Sequence, residues 1–82
     1  MATRDPSLRK RFGIVVQNAR RELGVSQEEL AHRSNLQVSF ISRLERGLQA
    51  PSLEAIAVLA AAIGTKPHLL VKAAEEQDEP SV

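Results

Sequence analysis

With 82 residues, 43% of them hydrophobic and 26% charged, the chain has the balance of one small globular domain and no room for a multidomain enzyme. It contains no cysteine, which excludes a disulfide framework and a thiolate metal site and suits a reducing compartment, with the cytoplasm expected. The formal charge of +1 hides an asymmetry: residues 1–47 hold nine Lys/Arg against five Asp/Glu, and residues 48–82 hold two against five. That is the footprint of a module that turns one basic face toward a polyanion.

Strands have little to build on. The only aromatics are Phe12 and Phe40, and no run alternates Val, Ile, Thr or Tyr between turn signals, so the chain reads as all-α. A flexible arm is expected over residues 1–6. Its one basic residue, Arg4, with Arg9, Lys10 and Arg11 beyond it, precedes no apolar h-region or small-residue cleavage site, so no secretory signal is expected. From Ser7, a candidate N-cap, the apolar residues Leu8, Phe12, Val15, Val16, Ala19 and Leu23 recur at helical spacing up to a stop at Gly24.

Ser26 opens a second helix, with Glu28 and Glu29 in the first turn where the helix dipole favours acidic groups. It runs to about Ser34. Asn35 follows, one of the few residues other than glycine that tolerates the left-handed conformation of a tight turn. A third helix spans Gln37 to Arg46, with Ile41 and Leu44 inward and Gly47 closing it. Ser52 caps a fourth, which carries Leu53, Ile56, Ala57, Leu59, Ala60 and Ile63 and ends at Gly64. The apolar run Ala55 to Ile63 is nine residues long, against about 20 for a membrane span, so it reads as a buried helix and not an anchor. Pro67 restarts the chain in a fifth helix carrying Leu69, Leu70, Val71, Ala73 and Ala74. An acidic tail over residues 76–82 is expected to be disordered.

Residues 27–47 carry the functional signal. Two short helices joined by a tight turn need a small residue where they approach and apolar anchors that pin the second to the first. Ala31, Leu36, Ile41 and Leu44 supply these. The other side of the third helix then carries Gln37, Val38, Ser39, Ser42, Arg43 and Arg46. The major groove admits one helix; there Gln and Arg bond base edges bidentately, Val packs on a thymine methyl, and Ser bonds bases or phosphates. Taken singly, each of these is an ordinary solvated residue. Their co-occurrence with the turn and the basic half makes the pattern.

The run SQEELAHRSNLQVSFISRLERG, followed by PSLEAIAVLAAAIG, resembles the helix-turn-helix of the lambda-repressor and Cro-like family, the XRE family. From Phe12 through Leu70 the chain follows that family's five-helix pattern, with Asn35 where the family commonly has glycine. The resemblance implies a compact lambda-repressor-like domain over residues 7–75, its helix-turn-helix formed by the second and third helices. It also implies base reading by Gln37, Val38, Ser39 and Arg43, phosphate contacts from Ser26, Gln27, Arg46 and Gln49, support of the recognition helix by Gln27, and an ion pair between Arg20 and Glu45.

The expectation is therefore a sequence-specific, double-strand DNA-binding transcriptional regulator. It would act as a homodimer on a near-palindromic operator, with no ligand-sensing domain and no small-molecule ligand evident. An antitoxin or a restriction-modification controller would use the same fold. A protein-interaction module that had lost DNA binding would favour an acidic or apolar third helix, and RNA reading would favour aromatic platforms; neither feature is present. His32 and His68 lie far apart with no third ligand near, so neither metal nor cofactor is expected. No nucleophile-base set or phosphate-cradling glycine loop supports catalysis.

Overall fold

The computed structural model describes residues 6–78. Five helices follow in order: α1 (Pro6–Leu23), α2 (Gln27–Ser34), α3 (Val38–Glu45), α4 (Leu53–Ile63) and α5 (Pro67–Glu76). No strand occurs among the described residues. The expected arm at 1–6 lies outside them except for Pro6, and the expected tail at 76–82 is described only through Asp78, with Glu76 still helical.

The first four helices stop in one way. A residue of positive φ follows each: Gly24 (74°), Asn35 (57°), Gly47 (77°) and Gly64 (93°). The next N–H then reaches five residues back, from Val25 to Arg20 O (3.3 Å), Leu36 to Ala31 O (2.9 Å), Leu48 to Arg43 O (2.9 Å) and Thr65 to Ala60 O (2.8 Å). This closure satisfies carbonyls that a helix end otherwise leaves orphaned. At the other ends, Ser26 Oγ accepts the N–H of Glu29 and Ser52 Oγ that of Ala55, each at 3.0 Å.

Val16, Leu30, Ile41, Leu44 and Leu59 are fully buried, and Phe12, Ala31, Ala60, Leu70 and Ala74 complete the core they form. α1 packs against α3, α4 and α5, while α2 packs against α3 and α4. Held between α1 and α2, α3 keeps its remaining face open. α1 comes closest to the end of α3 at Gly13, where a Cβ would run into the carbonyl oxygens of Leu44 and Glu45, the latter at 2.9 Å.

Three expectations are corrected. α1 begins at Pro6 rather than after a Ser7 cap, because proline at the first helical position loses no bond and presets φ. α3 is shorter by a residue at each end, Gln37 and Arg46 being its caps. Leu23 is exposed although its spacing assigned it inward. In α4, Leu53 is 82% exposed and Ala57 is also exposed, whereas Ala55 is buried. That helix is apolar almost all round, so its pattern did not single out a face.

Candidate nucleic-acid interface

The open face is built on α3 and its flanks. Ile41, Leu44 and Glu45 are buried, and the outward side chains are Val38 (43% exposed), Ser39, Arg43 and Arg46, with Ser42 partly covered. At 100° per residue these positions form one stripe along the helix. Gln37 sits exposed at its N-terminal end, with no side-chain capping bond. Three of the four residues read as base contacts, Val38, Ser39 and Arg43, thus share this stripe, and Gln37 stands at its N-terminal end as the cap. Glu45, the one acidic residue of α3, points into the protein, so no carboxylate interrupts the stripe.

Glu45 anchors the helix from below. Arg20 of α1 donates from Nε to Glu45 Oε2 at 2.7 Å and from Nη2 to Oε1 at 3.0 Å, while Gln27 Nε2 donates to the same Oε1 at 3.0 Å. A third Arg20 donor, Nη1, reaches Val25 O at 2.9 Å. The carboxylate side chain is fully buried and the guanidinium 11% exposed. The bond to Glu45 holds the Arg20 guanidinium above its ordinary pKa, outweighing burial, which acts the other way. The expected pair is therefore present, and it joins α1, the start of α2 and the end of α3 in one network.

The flanking residues occupy more than one role. Ser26 is exposed; its Oγ accepts the capping bond, which leaves the hydroxyl hydrogen to donate outward. Gln27, half-buried at the first position of α2, spends one amide hydrogen on Glu45 and keeps a second. Glu29 beside it pairs with Arg33 at 3.0 Å, which offsets acidic charge at that helix end. Arg46 folds its Nε toward Ser42 O (3.4 Å), and Arg43 Nε points at Gln49 Oε1 (3.4 Å).

Three supports were missed by reasoning from sequence. Arg11 of α1 donates from Nη1 to Ala74 O at 3.3 Å and Glu75 O at 3.1 Å, closing the last turn of α5. Ser34 buries its hydroxyl on Leu30 O at 2.7 Å. Gly13 permits the close crossing of α1 under α3; a glycine inside a helical pattern, where it costs about 1 kcal/mol against alanine, was the available signal. Among the described residues no group of three His, Cys, Asp or Glu is placed to hold a metal ion, and no single helix is long and apolar enough to cross a membrane.

This arrangement, a pinned outer helix set against a second across a left-handed turn, is a helix-turn-helix. The family model of that name matches residues 16–70, and the chain belongs to the helix-turn-helix family in its XRE branch, a family of DNA-binding transcriptional regulators. Over 69 residues it is 36% identical to an uncharacterized HTH-type transcriptional regulator, y4dJ, of Sinorhizobium fredii, covering 84% of this chain and 90% of that one. Among solved structures it is similar to the clp gene regulator ClgR of Corynebacterium glutamicum, with a TM-score of 0.81 and 29% identity over 93% of this chain and 97% of that one. It is also similar to the restriction-modification controller protein C.AhdI of Aeromonas hydrophila, with a TM-score of 0.72 and 38% identity over 74% of this chain and 92% of that one.

Proposed function

We propose that the protein is a sequence-specific, double-strand DNA-binding transcriptional regulator, cytoplasmic and without catalytic activity, that reads the major groove with α3. The observation that carries this reading is the stripe Val38, Ser39, Ser42, Arg43 and Arg46. It is uninterrupted by acid and held rigid from behind by the Arg20, Gln27 and Glu45 network. Preorganisation matters because a helix whose aim drifts by an ångström loses the bidentate bonds that discriminate bases. Gln37, Val38, Ser39 and Arg43 contact base edges, while Ser26, Gln27, Arg46 and Gln49 flank them where phosphates pass.

The regulator acts as a homodimer on a near-palindromic site, two copies of α3 entering successive major grooves about 34 Å apart. Leu69 on α5 supports a partner: it is 43% exposed and, with Val15, Ala19, Ile63 and Leu70, lines a groove that also carries the polar Asn18, Glu22, Thr65 and Gln77. The 38% identity to C.AhdI favours one setting in particular, a controller of a restriction-modification system. Selection of bound sequences from a random duplex pool, with the salt dependence recorded, tests the reading. Enrichment of one motif supports it, and uniform recovery of all sequences overturns it.

A further inference from the structure

The side chain best placed to discriminate bases is Arg43, and what holds it lies outside α3. Gly47, at φ 77°, reverses the chain after the helix, so that Gly47 N–H bonds Leu44 O (3.0 Å) and Leu48 N–H bonds Arg43 O (2.9 Å). This closure ties the loop to the backbone of Arg43 itself. One residue further on, half-buried Gln49 brings its Oε1 to Arg43 Nε at 3.4 Å, and its own Nε2 toward Ala50 O, also at 3.4 Å. The second contact favours one orientation of the carboxamide, oxygen toward Arg43 and nitrogen toward the loop backbone.

A guanidinium is a planar fork with five N–H donors. When Nε–H is engaged from the side, the two terminal nitrogens remain free along the outer edge, the edge that meets guanine O6 and N7 together. Both contacts are long, so each is weak alone. Their effect is on direction, because an exposed arginine otherwise loses rotamer freedom when it docks.

We infer that Gln49 is a positioning residue for Arg43, so that sequence choice by α3 depends on a loop side chain that need not itself touch a base. This rests on the reading of α3 as the base-reading helix and adds to the phosphate contact assigned to Gln49 above.

The test is a fluorescence-anisotropy titration of the full chain against the duplex preferred in the selection and a scrambled duplex of equal length. Gln49→Ala lowers the ratio of the two affinities about five- to tenfold, a part of what a good bidentate pair contributes. Affinity for the scrambled duplex falls by a smaller factor, that of the lost phosphate contact alone, and the thermal midpoint changes little. Gln49→Glu, which keeps an acceptor for Nε, restores the ratio even though its charge weakens binding to both duplexes. In an Arg43→Ala background, Gln49→Ala lowers the ratio no further. Equal loss on both duplexes, an unchanged ratio, or the same drop without Arg43 overturns the inference while leaving base reading by α3 intact. A wild-type chain with no preference at all overturns both.

Discussion

Arg20 and Glu45 stand 25 positions apart in sequence and meet in a two-pronged bond, 2.7 Å and 3.0 Å, with the carboxylate fully enclosed. An exposed ion pair contributes little, but a buried one whose partner is removed leaves an uncompensated charge. Arg20→Ala is expected to cost about 3–5 kcal/mol in urea unfolding, and Glu45→Gln less, since an amide retains an acceptor for Arg20. In a double-mutant cycle with Glu45→Ala, the two losses should fall short of additivity by about 0.5–3 kcal/mol. Additivity within about 0.3–0.5 kcal/mol would mean that the two sites act independently.

Gly13 offers a contrary case, in which a better helix former is expected to destabilise. Alanine improves helix propensity by about 1 kcal/mol, yet its Cβ would press on the carbonyls of Leu44 and Glu45, which are backbone and yield only if α3 moves. Overpacking of this kind costs about 1–3 kcal/mol. Gly13→Ala should lower the thermal midpoint and weaken DNA binding together. A rise in the midpoint would show that the crossing is looser than described.

These two sites mark where the sequence was legible and where it was not. Local chemistry was readable: Ser26 and Ser52 as caps, and Gly24, Asn35, Gly47 and Gly64 as stops, because a left-handed φ and an N-cap leave residue-type signatures. The Arg20–Glu45 pair was read from family resemblance alone, since no local pattern links positions on different helices. The hold of Gln27 on the end of α3 was likewise implied by resemblance, whereas the close crossing at Gly13 and the Arg11 bonds to the end of α5 exist only once helices are packed. The exposure of Leu53 was illegible for a different reason: in a helix as apolar as α4, composition does not define a buried side.

Two substitutions separate base reading from backbone grip. Arg43→Ala should lose about 1–3 kcal/mol on the preferred duplex and much less on random DNA. Gln27→Ala should instead weaken every duplex by a similar factor, through loss of the proposed phosphate contact, because Arg20 still holds Glu45 with two bonds and keeps α3 in place. Gel-shift titrations on both duplexes measure this. Equal losses for Arg43→Ala would reassign that side chain to a phosphate.

The proposed dimer places its contact on α5. At 100° per residue Leu69, Leu70 and Val71 cannot share one side; Leu70 is buried, Val71 partly so, and Leu69 faces outward. Leu69→Glu should leave folding intact and shift sedimentation at micromolar concentration from dimer to monomer. Inserting five base pairs between half-sites should abolish binding of the wild type by turning the second groove about half a helical turn away. A wild-type chain that sediments as a monomer, free and on DNA, would refute this assembly.

Methylation interference on the selected duplex shows which groove α3 enters. Guanine N7 lies in the major groove and adenine N3 in the minor groove. If α3 reads the major groove, N7 methylation at guanines in each half-site blocks the wild-type chain, and Arg43→Ala loses sensitivity at one guanine position per half-site. Binding indifferent to N7 methylation, or blocked by methylation at adenine N3 alone, would contradict it.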